Sequence, residues 1–223
     1  MIRLPPRIVR LVVGEIQTNC YVLWSPDEAE AVVVDPGAEG ARIAAELVSR
    51  NAVLRAVFLT HAHIDHLHGL PELFDAVGPA PVLLHGDDWP LWNAMGPQAA
   101  FLGVSEPRLP ANVREIVDGE VVEESGWTME VHHTPGHSPG GVCVFLRDHG
   151  ILLSGDTLFK SGVGRTDLWG GRGDQLLRSL RDRIFTLPAQ TIVLPGHGDF
   201  TTVGEAVLWA ARAGLAVGSQ ASS

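Results

Sequence analysis

Lysine occurs once in this 223-residue chain, at Lys160, and cysteine twice, at Cys20 and Cys143. Arginine does not make up the shortfall, because acidic residues outnumber basic ones and leave a formal charge of -10. A nucleic-acid partner needs clustered Lys or Arg to neutralise phosphates. Here the arginines are dispersed apart from Arg172, Arg178, Arg181 and Arg183, whose spacing reads as one solvated helix face. Nucleic-acid binding and nuclease chemistry are therefore disfavoured. The two cysteines lie in strand-like apolar runs, where a thiol behaves as a small hydrophobe, and nothing calls for a disulfide between them. No apolar run approaches the length of a membrane span. The opening Met1 to Arg7 carries neither a hydrophobic signal core nor a lipidation motif, which implies a cytoplasmic location away from membranes.

What the chain does have is apolar content, at 45%, and turn residues, with 25 glycines. A chain of this length buries roughly 70% of its unfolded surface without staples. Residues 8–13, 20–24 and 31–34 form three β-like runs, and residues 39–50 carry Ile43, Ala44, Leu47 and Val48 at helical spacing. Residues 53–59 read as a buried central strand, 67–77 as a short helix and 81–85 as another strand. Residues 87–104 hold Trp89, Trp92, Met95 and Phe101 among Pro and Gly, which fits either a lid over a pocket or surface helices packing aromatics on the body. Five further β runs follow between 113 and 153, then a helix over 174–185, a strand over 191–194, a helix over 203–213 and a frayed polar tail. Strands followed by helices occur once before residue 110 and again after it. This predicts an α+β chain of two halves packed sheet to sheet with helices outside, in a single domain over 1–223.

The densest chemistry follows the central strand: Thr60-His61-Ala62-His63-Ile64-Asp65-His66-Leu67-His68. Each polar group drawn out of water there needs a hydrogen bond or a metal, and the apolar strand before it argues for burial. Thr134-Pro135-Gly136-His137, Ser154-Gly155-Asp156-Thr157 and Leu194-Pro195-Gly196-His197 repeat the pattern of an apolar strand, a Gly or Pro turn and a ligand-type residue. Glycine in each lets the backbone approach a shared centre. Together they supply His61, His63, His66, His137, His197, Asp65 and Asp156. That exceeds the roughly four ligands one zinc ion takes. Two divalent ions use them all, and N and O donors without cysteine suit zinc first, with iron or manganese as alternatives. Such a pair about 3.5–4 Å apart lowers the pKa of a shared water toward roughly 7.

These stretches, in this order, resemble the metallo-β-lactamase superfamily. Within it, residues 164–171, Gly-Arg-Thr-Asp-Leu-Trp-Gly-Gly, and 194–202, Leu-Pro-Gly-His-Gly-Asp-Phe-Thr-Thr, resemble the short bacterial glyoxalase II-type hydrolases. The resemblance implies a four-layer αβ/βα sandwich of two mixed sheets with the site at one edge. It implies that His61, His63 and His137 hold one metal, that Asp65, His66 and His197 hold the other, and that Asp156 bridges them. Asp35 matches the family's carboxylate that braces the ligand loop, and Arg165 and Trp169 fall on a loop beside the substrate, Arg165 as an anion contact. His68 stands where the family usually has a small residue, so its imidazole either points away from the metals or narrows their approach. His85, His132, His133 and His149 match no ligand position.

The resemblance further implies a hydrolase for an acyl thioester such as S-lactoylglutathione, acting as a monomer or homodimer. A metal-bridged hydroxide oriented by Asp65 is its nucleophile. A thiol with a pKa near roughly 8.5 leaves without a dedicated acid. Long glyoxalase II enzymes append a helical glutathione-binding domain, and only 26 residues follow His197 here, so the thiol carrier is open. The alternatives are a mono-iron persulfide dioxygenase of the same superfamily, a hydrolase of another ester or lactone, and a non-catalytic metal-binding module. Antibiotic cleavage fits less well than thioester cleavage.

Overall fold

The computed structural model describes Pro5 and residues 7–215; the expected signal-free start and frayed tail lie largely outside these residues. A first sheet contains β1 (Ile8–Val13), β2 (Thr18–Trp24), β3 (Glu30–Val34), β4 (Val53–Phe58), β5 (Val82–His85) and β6 (Val113–Ile116), in that spatial order. β1 to β3 pair antiparallel, and β3 to β6 run parallel. The second sheet contains β7 (Val121–Glu124), β8 (Trp127–His133), β9 (Val142–Leu146) and β10 (Ile151–Gly155). A small hairpin of β11 (Leu158–Phe159) and β12 (Gly162–Val163) intervenes, and β13 (Ile192–Pro195) and β14 (Thr201–Thr202) then complete that sheet. Its spatial order is β14-β13-β10-β9-β8-β7, with β10 and β13 as the parallel pair. The helices are α1 (Gly40–Ser49), α2 (Leu70–Val77), α3 (Trp89–Trp92), α4 (Met95–Leu102), α5 (Gly173–Ser179) and α6 (Val203–Arg212).

The side-chain period of 2 explains the layering. β2 is buried at every position. Its Cys20, Val22 and Trp24 pack with Ile43 and Leu47 of α1 and Leu70 and Leu73 of α2. Its Tyr21 and Leu23 face the other way, into a core shared with Val34, Phe58, Trp127, Met129, Val144 and Leu153 from both sheets. On the far side Cys143 and Phe145 of β9 pack with Leu176 of α5 and with Val203 and Ala206 of α6. The order helix, sheet, sheet, helix is the four-layer α+β sandwich expected, each large side chain in it contributing about 1.5–3 kcal/mol by leaving water. Cys20 and Cys143 are free, buried and on opposite faces of this stack. Among the described residues no helix is long and apolar enough to cross a membrane.

Besides small shifts at strand ends and the short β11, β12 and β14, which the sequence did not suggest, three boundaries differ from expectation. The two halves meet after Ile116 rather than at residue 110, because β6 pairs parallel with β5 and closes the first sheet. The helix expected over 67–77 begins at Leu70, since Ile64–His66 form a tight 3-10 turn whose carbonyls take up the following amides. The helix expected over 174–185 is α-helical only to Ser179 and then widens into a π turn over Leu180–Ile184. The basic cluster there is solvated and paired: Arg178 bonds Asp174, Arg181 bonds Asp182 and Arg183 bonds Asp118.

Gly136 sits at φ 139°, and a Cβ on it would overlap the Leu176 backbone of α5. Its role is close packing of a turn on a helix, where backbone on both sides leaves nothing to swing aside. Gly136→Ala should therefore cost about 1–3 kcal/mol of stability, read by denaturant unfolding, and an unchanged midpoint would show that the turn is free to move.

Candidate metal centre

The parallel strands end at one edge of the sandwich, where crevices outside their carboxyl ends form binding sites. β3 delivers Asp35, β4 delivers Thr60 and the 61–66 loop, β10 delivers Asp156 and β13 delivers His197. β8 adds His137 through the turn at Thr134. All seven residues expected from the sequence meet there. His61, His63 and His137 form one group whose ligand atoms lie within 4.8 Å of one another, and Asp65, His66 and His197 form another. Asp156 faces both, with Oδ2 at 3.5 Å from His137 Nε2 and 3.6 Å from His197 Nε2, and Oδ1 at 3.5 Å from His66 Nε2.

The outer nitrogen of four of the five ligand rings is already committed. His61 Nδ1 donates to Thr60 Oγ1 at 3.1 Å, and His66 Nδ1 donates to Asp35 Oδ2 at 3.0 Å. His137 Nδ1 donates to the Arg165 carbonyl at 2.7 Å, and His197 Nδ1 donates to the Ile16 carbonyl at 3.2 Å. With those bonds made, Nε2 of all four rings turns inward, as second-sphere acceptors orient metal-binding imidazoles. His63 presents Nδ1 instead, at 2.9 Å from His137 Nε2, which itself lies 3.2 Å from His61 Nε2. Lone pairs converging like this repel unless something cationic lies between them, and donors about 2.0–2.1 Å from a tetrahedral ion stand roughly 3.3–3.4 Å apart. His66 Nε2 and Asp156 Oδ1 are buried without any hydrogen-bond partner. The residues fit a pair of divalent cations.

Charge points the same way. Burial, then the neighbouring imidazoles, push His61 well below its usual range and His63 down to about 3, so both rings are neutral donors. Burial works against a charge on His66 as well, yet Asp156, Asp35 and Asp65 outweigh it and hold that ring up to about 10. Burial raises Asp65, but His66 and His197 pull it well below the ordinary carboxylate range. Three carboxylates in one buried cluster call for positive charge.

Asp35 organises the loop beneath. Its backbone takes the left-handed conformation at φ 51°, and its carboxylate accepts the Thr60 amide at 2.8 Å, the Thr60 hydroxyl at 2.7 Å and His66. Asp35 thus touches the ligand histidine His66 directly and reaches His61 through Thr60. Others were not legible in the sequence. Asp88, fully buried, accepts from the Ala62 amide at 2.8 Å, the Gly140 amide at 2.5 Å and Ser138 Oγ at 3.0 Å, linking the first and second ligand loops. Gln98 of α4 accepts from the Ile64 amide and donates to the Ala62 carbonyl. Asn19 and Tyr21 donate to the Pro195 carbonyl at 2.9 and 2.7 Å, fixing the last loop from β2. Asp88 sits in Gly86-Asp87-Asp88-Trp89-Pro90, which reads as a surface turn. Asn19 carried one clue, a polar residue opening a strand buried on both faces.

Glycine brings backbone to the centre at Gly196, where a Cβ would overlap Asp156 Oδ1 and the His66 ring. His68 points away, donating through Nε2 to the Ser105 carbonyl at 2.9 Å and so tying the ligand loop to the segment after α4. Arg165 lines the cavity over the centre, but its guanidinium is engaged by Asp167 through two 2.8 Å bonds. Trp169 meets Phe101 edge-on at 5.5 Å across the mouth. Over 87–104, Leu91, Trp92, Met95 and Ala99 of α3 and α4 pack into the body, whereas Phe101 and Leu102 line the cavity. Of the remaining histidines, His85 and His133 stack at 4.0 Å beside Asp87, a grouping that the sequence did not suggest. His132 pairs with Glu130 at 3.3 Å, and His149 lies against Trp127 at 4.7 Å.

A family model described as the metallo-β-lactamase superfamily matches residues 13–197. The chain belongs to that superfamily. Among characterised and uncharacterised relatives, the probable metallo-hydrolase YqgX of Bacillus subtilis is 38% identical over 87% of this chain and 91% of its own length. The hydroxyacylglutathione hydrolase GloC of Haemophilus influenzae is 31% identical over 86% and 91%. Among solved structures, the BLEG-1 B3 metallo-β-lactamase is 35% identical with a TM-score of 0.81, covering 89% of this chain and 95% of that one. TTHA1623 in a di-iron-bound form is also 35% identical, with a TM-score of 0.78 and coverage of 92% and 97%.

Asp35→Asn keeps the shape but replaces one acceptor oxygen by a donor facing Thr60 or His66. Metal affinity should fall about 10–100-fold, measured by competition with a chromophoric chelator, while Thr60→Val should fall less. An affinity within twofold of the parent for Asp35→Asn would remove the brace from the account.

Proposed function

We propose that this metallo-hydrolase cleaves acyl thioesters, S-lactoylglutathione being one candidate, with water as the nucleophile. The observation that carries the reading is the make-up of the cavity over the centre. It encloses about 500 Å³, its floor is His63, Asp65, His137, Asp156 and His197, and the described residues lining it include no Ser, Cys or Lys to attack in water's place. His61, His63 and His137 would hold one ion and Asp65, His66 and His197 the other, with Asp156 between them. When bound, such a pair supplies Lewis acidity and an acidified water.

The chain's own groups do the rest. Asp65 faces the cavity as a carboxylate and accepts a hydrogen bond from water, aiming a lone pair at the carbonyl carbon. Its Oδ2 lies 3.3 Å from His197 Nε2, so a cation held by both would fix that direction before substrate arrives. Apolar walls at Ile64, Phe159 and Leu168 keep other water away and sharpen each electrostatic contact. The departing thiolate needs no proton from the protein, because a thiol pKa near roughly 8.5 makes it a tolerable leaving group. A relative named for hydroxyacylglutathione hydrolysis supports thioesters over lactams, although a relative named as a B3 metallo-β-lactamase makes weak lactam cleavage a side reaction worth assaying. Zinc is our first assignment, and the di-iron-bound relative supports iron as the alternative.

Elemental analysis combined with turnover on S-lactoylglutathione and on lactone and phosphodiester controls tests this directly. Two equivalents of metal and thioester hydrolysis are expected; one iron with oxygen uptake on glutathione persulfide would replace the reading by a dioxygenase. Asp156→Ala should lose metal and slow kcat by about 100-fold or more, roughly 2.7 kcal/mol of barrier. Normal turnover in that variant would show that Asp156 does not bridge.

A further inference from the structure

A second chamber of about 290 Å³ lies beside the first. The two share Ile16, Ile64, Asp65 and Leu102, so the second chamber adjoins the first and carries the surface on toward Val13 and Val104. His68, bonded to the Ser105 carbonyl, stands along this groove. The walls are aliphatic, and the ionisable groups they add are Glu15 and His68. In the first chamber Phe101 and Trp169 supply an aromatic rim, exposed at 59% and 42%.

Cations decide what can lie there. Among the described residues lining the two chambers, Arg165 is the single Lys or Arg. Asp167 already takes its Nε and Nη2 edge, so a substrate carboxylate gains a two-pronged hold on it only by exchanging places with one the protein supplies. The cations nearby are likewise committed: Lys160 bonds Asp199 at 3.1 Å, and Arg10 lies over Phe200 while donating to the Gly198 carbonyl. Beyond the residues that would hold the metal cations, the second chamber adds one carboxylate, Glu15, and no Lys or Arg. An anionic arm lying along the second chamber would leave water for aliphatic walls and Glu15, with no Lys or Arg among the described residues lining it, and such rejection sets specificity as firmly as attraction does.

Resting on the thioester reading of the same site, we infer that the thiol carrier is an uncharged, largely apolar molecule lying along the groove of Ile16, Ile64, Leu102 and Val104. A peptide thiol with two carboxylates, such as glutathione, is disfavoured there. The acyl group common to both kinds of substrate stays at the metal centre, so the difference between them lies in the carrier alone.

The test pairs S-lactoylpantetheine, whose carrier is neutral, with S-lactoylglutathione on the metal-loaded protein. It adds S-propylpantetheine and S-propylglutathione, thioethers that cannot be hydrolysed, for calorimetric binding. The neutral thioester should have kcat/KM about tenfold higher or more, and the neutral thioether should bind tighter by a similar factor. Val104→Lys places a cation on the groove at a position 43% exposed, where the fold tolerates it, and should narrow both gaps. Equal or better use of the glutathione thioester would overturn the carrier inference and leave the thioester reading in place. Tighter binding of the neutral thioether with neither thioester hydrolysed would do the reverse.

Discussion

Four imidazole N–H groups are spent outward, on a threonine hydroxyl, a carboxylate and two backbone carbonyls, and the rest of the edge depends on that expenditure. A neutral imidazole has one proton and one lone pair, so fixing where the proton goes fixes where the lone pair points. Thr60 and Asp35 do this for His61 and His66, and the carbonyls of Arg165 and Ile16 do it for His137 and His197. Those acceptors must sit rigidly, which explains why Asp35 accepts a strained left-handed backbone at a strand end and why Asp88 gathers three donors from two loops.

The acceptors come from places far apart in sequence. Ile16 lies in the first hairpin, Asp35 after β3, and Arg165 on the loop beyond β12. Only the sandwich brings them together, and its inner core of Tyr21, Phe58, Trp127 and Leu153 sets the distance between the sheets that carry them. Arg165 shows how a side chain and its backbone divide labour. The guanidinium turns to Asp167, while the carbonyl holds a ligand histidine in place.

Ligand residues were legible because strand, turn and imidazole occur next to each other in the chain: His61, His63, Asp65 and His66 share one loop. Continuous apolar runs made the layers legible too, since residues 20–24 of β2 and all of β9 read that way only if both faces are covered. Asp88 and Gln98 were not legible. Each acts through partners 26 to 52 residues away in sequence, and acids or amides near Trp-Pro and Met-Gly look like surface residues until the helices fold over the loop. The end of the first sheet was missed for a similar reason: nothing local in residues 113–116 tells which sheet they join, and parallel pairing with β5 decides it. For Arg165 the side chain drew attention and the carbonyl did the bracing, a role any residue type could fill.

The centre draws His61, His63, Asp65 and His66 from the first sheet and His137, Asp156 and His197 from the second. A cation held by both groups is then a cross-link between the halves of the chain as well as a reagent. It binds the folded form and has no preassembled site in the unfolded one, so mass action adds about 4.1 kcal/mol of stability when free metal is 1,000 times its dissociation constant. The persistence of the folded protein in a cell would thereby follow the supply of metal, so that scarcity removes the protein itself along with its chemistry.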